Sequence, residues 1–123
     1  MREHGAPTPE SVAARVVAAV EGGDLAAFAD LLDPNVRWGA ADDLAGGCQN
    51  RDQVLAWYQR GWDAGVRAKV TEVVGDGEKI LVGLDVPGGE RRWQVVTLTG
   101  GRVVDIRVFE NRDDAARRVP GAT

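Results

Sequence analysis

Between residues 68 and 109 the chain repeats one device. Four apolar-rich stretches, Ala68 to Val74, Lys79 to Val86, Arg91 to Thr99 and Arg102 to Phe109, are cut apart by GDGE, PGGE and GG. Runs of this length, rich in β-branched residues and bounded by glycine-rich turns, read as strands. Connections this short reverse the chain, so successive strands must pair antiparallel as a meander. The first half follows another period. Thr8-Pro9 reads as a helix cap followed by its first position, and Val12, Val16, Val17 and Val20 form one helical stripe up to Gly22-Gly23. Asp24 can cap a second helix carrying Leu25, Phe28, Leu31 and Leu32, with Pro34 beyond its end. Asn35 to Trp38 is a short extended piece, and Ala40 to Cys48 reads as loop. Asn50-Arg51-Asp52-Gln53 is an N-terminal box for a third helix with Val54, Trp57, Tyr58 and Trp62 on its apolar side. Helices followed by a strand meander predict an α+β fold with the helices on one face of a curved, mostly antiparallel sheet.

At 123 residues the chain suits one domain, with its core over about 9–112 and polar tails at both ends. A helical turn at Asp113 to Arg118 is expected in the second tail. With 15 basic against 19 acidic residues the net charge is -4, and the basic residues are scattered. A nucleic-acid or anionic-membrane partner, which needs a basic patch, is not expected. One cysteine, Cys48, and one histidine, His4, supply neither a disulfide, a zinc site nor a Cys–His pair. No metal or cofactor is expected. No apolar run is long enough to span a bilayer and the N-terminus lacks a secretory apolar core, so a cytoplasmic location is the expectation.

VVAAVEGGDLAAFADLLDPNVRW, then NRDQVLAWYQRG, then GGRVVDIRVFE, in this order and spacing over about residues 11 to 112, resembles the nuclear transport factor two-like superfamily, in its SnoaL-like and ketosteroid-isomerase-like branches. The resemblance implies a cone-shaped fold whose sheet and helices enclose an apolar pocket, and a homodimer. It implies a hydrophobic small molecule as partner. The isomerases' general base falls on Trp38, their oxyanion tyrosine on Val16, their second oxyanion donor on Gln94, and a supporting tyrosine on Tyr58, which is kept. The acid that SnoaL-like cyclases use on the last strand falls on Val108, as does the last-strand aspartate of the limonene-epoxide-hydrolase-like members. None of these catalytic sets is intact.

Strand alternation, started from the family's inward positions, predicts the pocket lining: Val16, Trp38, Trp57, Arg92, Gln94, Val96, Ile106, Val108 and Glu110. Glu110 is the expected acid/base, because a carboxylate at the mouth of an apolar cavity is raised toward neutral pH. Its plain alternative is a solvated strand end. Asp43, within VRWGAADD, is the second candidate, with Asp42 hardly distinguished from it, and the alternative for both is an ordinary acidic loop. Gln94 can donate to a ligand carbonyl, or simply be satisfied in the core. Trp38 and Trp57 offer flat surfaces to a polycyclic ligand, or fill the core. Trp93 should face away from the pocket, as a dimer-interface residue or plain surface. Cys48 reads as an inert thiol. The expected function is a cofactor-independent isomerase, cyclase or dehydratase working by proton transfer on a hydrophobic or polycyclic substrate. The alternative is a non-catalytic ligand-binding or dimerising module of the same fold.

Overall fold

A computed structural model describes residues 18, 21, 25–40, 43–76, 78–86 and 90–119. In chain order the elements are α1 (Leu25–Leu31), β1 (Leu32–Ala40), β2 (Asp43–Cys48), α2 (Arg51–Asp63), β3 (Lys69–Asp76), β4 (Lys79–Val86), β5 (Glu90–Thr99), β6 (Arg102–Phe109) and α3 (Arg112–Ala116). The six strands form one curved, unclosed sheet in the order β2-β1-β6-β5-β4-β3. All neighbours are antiparallel except β1 and β6, which run parallel. The first expected helix lies outside the described residues apart from Ala18 and Glu21, both helical. Among the described residues no helix is long and apolar enough to cross a membrane.

The second half folds as the turn residues dictate. Thr99 pairs with Arg102 across Gly100-Gly101, whose φ of +60° and +82° are the left-handed values that a two-residue hairpin with the correct twist requires. Asn50 caps α2, its side chain accepting from the Gln53 N–H at 2.9 Å. Without that acceptor one of the helix's first amides would go unpaired.

Two segments depart from the sequence reading. Residues 43 to 48, expected as loop, form strand β2, with Trp38 opposite Cys48 and Ala40 opposite Asp43. An edge strand of small residues carries no apolar alternation to announce it. A Cβ on Gly47 would meet the Trp38 carbonyl oxygen at 2.1 Å, so the two backbones can lie this close only with glycine there. Strand β1 also begins earlier than expected, at Leu32, and its pairing with β6 shifts register between Leu32 and Arg37. Pro34, which has no N–H for the ladder, lies in that irregular stretch.

The sheet has apolar residues on both faces. Ile80, Val82, Leu84, Val96 and Ile106 point to the inner side, with Phe28 and Leu31 of α1 and Val54 of α2. Leu81, Val95 and Phe109 point to the outer side and are buried under Ala115, Ala116 and Val119. The tail beyond residue 112, expected to be polar, is thus the cover of a second core. Asn111 starts it by accepting from the N–H groups of Asp113 (2.7 Å) and Asp114 (3.3 Å). Trp93 faces away from the inner side, as alternation requires. It packs half-buried against this outer core, where a dimer contact or plain surface is the expectation, because α3 lies on that face.

Candidate functional site

Between the inner face of the sheet and α2 lies a cavity of about 1010 Å³. Strand register builds its floor. Trp38 stands beside Ile106 and Ile106 beside Val96, so one row of the floor crosses three strands. The next row places Ala40 beside Val108 and Val108 beside Gln94. Helix α2 supplies the facing wall through Gln53, Ala56, Trp57, Arg60 and Gly61. Their spacing of three, four, seven and eight residues puts them on one side of a helix.

Aromatic rings line much of this wall. Trp38 and Trp57 meet edge to face, centroids 4.6 Å apart at 63°. Trp57 is 52% exposed and so forms a rim as well as a wall. Phe28 and Tyr58 stand 4.9 Å apart, and Trp62 stacks near Tyr58 at 6.3 Å. The guanidinium of Arg67 sits 3.4 Å from the Trp62 ring centroid and holds it by a cation–π contact.

Set in this apolar lining is Gln94, 9% exposed. Its side-chain amide makes no hydrogen bond to another described residue. Among the described residues no buried side-chain nitrogen or oxygen is sealed away without a partner, so the amide is open to the cavity. An amide presents both a donor and an acceptor, and leaving them unmet in an apolar site costs about 1–3 kcal/mol. Arg92, two residues along β5, projects to the same side and is half-buried. Burial pushes the Cys48 thiol up from its usual range, against the opposing charge of Arg60, so the thiol stays protonated at neutral pH.

Of the residues expected at a pocket, Trp38, Trp57, Tyr58, Arg92, Gln94, Val96, Ile106 and Val108 all line the cavity. Val16 and Asp42 lie outside the described residues. Glu110, expected at the mouth, is exposed one residue past the end of β6 and is not part of the lining, because the strand ends at Phe109. Asp43 is exposed at the start of β2, where its Oδ1 accepts from the Gly46 N–H at 3.1 Å. Gly46 itself lines the cavity, whereas Asp43 is not part of the lining. Arg60 and Cys48 were not anticipated. The helical spacing from Gln53 through Trp57 would have pointed to Arg60, whereas Cys48 had no signal without knowledge of β2. Among the described residues no group of three or more His, Cys, Asp or Glu converges to hold a metal.

Residues 13–118 match the family model of the SnoaL-like domain. Solved structures share the architecture. An NTF2-like protein of unknown function from Cytophaga hutchinsonii gives a TM-score of 0.73 at 11% identity, over 93% of this chain and 97% of that one. A Kribbella flavida protein provisionally named a ketosteroid isomerase gives 0.70 at 21% identity, over 81% and 75%. A Sinorhizobium meliloti protein provisionally named a polyketide cyclase gives 0.68 at 20% identity, over 80% and 93%. At these identities the likeness is one of fold. No curated protein matches the chain.

Proposed function

Since the chain belongs to the SnoaL-like domain family, within the NTF2-like superfamily, we propose that its cavity takes a planar or polycyclic hydrophobic molecule and carries out cofactor-independent proton transfer on it. The observation that carries this reading is the Gln94 amide, buried in an apolar cavity and open to it with no hydrogen bond to another described residue. A ligand carbonyl is the natural acceptor for its N–H. A proton leaving the carbon beside that carbonyl would send its electron pair to the oxygen, and donors placed there stabilise the enolate. Gln94 and Arg92 on one strand face are such donors. Asp43, bonded to the lining residue Gly46, is the favoured base and Glu110 the second, each needing a ligand whose reacting carbon reaches it. Trp38 and Trp57, which meet edge to face, offer ring faces to the ligand's planar body.

The test uses 2-tetralone in D₂O. Saturable quenching of tryptophan fluorescence, and hydrogen–deuterium exchange beside the carbonyl faster than in buffer, are the expected results. Asp43→Asn should abolish the acceleration while binding persists. If Glu110→Gln abolishes it instead, Glu110 is the base. Binding without any acceleration would leave the second reading, a non-catalytic binding module. One observation favours that reading: the described lining residues include no carboxylate.

A further inference from the structure

Only two side chains among the described cavity residues carry a charge at neutral pH, and both are cations: Arg60 on α2 and Arg92 on β5. The chain as a whole has 19 acidic residues against 15 basic ones. A cavity that collects positive charge in an acidic protein departs from the composition around it. The Cys48 thiol does not offset it, since burial keeps it protonated. Resting on the reading of the cavity as a small-molecule site, we infer that its ligand is an apolar acid: a planar body against Trp38 and Trp57, with a carboxylate directed to Arg92 and Arg60.

The geometry fits such a molecule at three points. Arg92 is half-buried in the floor, where a guanidinium pairs with a planar carboxylate more strongly than it would in water. Arg92 already engages another group of the protein. Its five N–H donors serve more than one acceptor, so a ligand carboxylate adds to that contact without displacing it. Gln94, two residues away on the same face, can then receive a second polar group of the same ligand, such as a carbonyl or hydroxyl. Arg60 projects from the opposite wall on the same helical side as Trp57. It is exposed, which suits steering an anion to the entrance more than gripping it. A neutral hydrocarbon would offer no acceptor to the Gln94 amide, and a cationic ligand would meet like charge.

The experiment compares three ligands of one shape on the full chain at pH 7.5: 2-naphthoate, its methyl ester, and 2-naphthylmethylammonium. Binding is followed by tryptophan fluorescence at low and high salt. The acid should bind at least about tenfold tighter than the ester, and the ammonium most weakly. High salt should narrow the difference. In Arg92→Met, shown to be folded by its circular dichroism melt, the acid-to-ester ratio should fall to within about twofold of one. Arg60→Gln should reduce the ratio less, mainly through slower association. Equal binding of acid and ester, or a ratio unchanged in Arg92→Met, would overturn the inference while ester binding still upheld the cavity as an apolar site. Failure of all three ligands to bind would overturn both.

Discussion

The inner and outer faces of the sheet are built from the same strands by the same alternation, yet α3 lies directly on part of the outer face, whereas a cavity separates part of the inner face from its helix. On the outer face Leu81 and Val95 are covered by Ala115, Ala116 and Val119, all 3% exposed or less. The cover is a five-residue helix whose buried side is two alanines, so its backbone can lie close to the sheet. On the inner face the cover is α2, thirteen residues long, and only Val54 of it is fully buried. Its cavity side includes Trp57 and Arg60, both of them exposed. A site needs a rigid floor, and here buried apolar side chains pack on both sides of the strands that form it.

Truncation should separate the two faces most clearly. Leu81→Ala removes a side chain with no exposure and should cost about 2–5 kcal/mol in urea unfolding. Trp57→Ala removes a larger side chain from the cavity rim. It should cost under about 1 kcal/mol, although a fully buried tryptophan would cost about 3–5 kcal/mol. Equal losses from the two would mean that the inner face is packed as tightly as the outer. The next effect in size is Gly83→Ala, on the row that joins Gly83, Trp93 and Phe109. The new Cβ would lie 2.6 Å from Trp93 Cζ3 and 2.9 Å from Thr71 Oγ1. Overpacking of this kind costs about 1–3 kcal/mol, and a shifted tryptophan emission should accompany the loss.

Gln94→Leu sharpens the contrast further. A leucine there keeps the volume and removes an amide that makes no hydrogen bond to another described residue. Stability should change by less than about 1 kcal/mol, in either direction. Binding of 2-tetralone should weaken measurably in the same protein. A stability loss comparable to that of Leu81→Ala would show that the amide serves the core.

What the sequence disclosed follows from which signals are local. The four strands of the meander were legible because their turns and apolar runs repeat, and the cap at Asn50 because its spacing to Gln53 is short. Alternation carried the floor of the cavity from Arg92 through Val108, since facing side is a property of each strand alone. Strand β2 was not legible, because its reason for existing is the neighbouring backbone of β1, seen in the room that Gly47 leaves for the Trp38 carbonyl. The outer cover was hidden in RDDAARRV, which looks polar until one knows that Ala115, Ala116 and Val119 face a sheet. Glu110 was placed by continuing alternation one residue past the point where the strand ends.

The smallest expected effect concerns the tether that holds the outer cover in place. Arg112, the first residue of α3, donates from Nε to Glu72 Oε1 at 3.0 Å and from Nη2 to Oε2 of the same carboxylate on β3. These hydrogen bonds, with a smaller contribution from the charge of Arg112, outweigh partial desolvation and hold the Glu72 carboxyl below its usual range. A carboxyl depressed in the folded state binds its proton less readily there than in the unfolded chain. Its stabilisation is therefore complete above the unfolded carboxylate range and fades as pH falls through the lowered folded value. The pair is partly exposed, with 37% of the Arg112 side chain and 28% of the Glu72 side chain open to solvent, so screening keeps the effect modest. Thermal melts of Glu72→Gln should lie below the parent at pH 7 and approach it in acid. The outer face should loosen first, seen as earlier hydrogen exchange at Ala115 and Ala116 than at Val96. A variant equally destabilised at every pH would mean that Glu72 acts through packing, and that the outer cover is held by its apolar contacts alone.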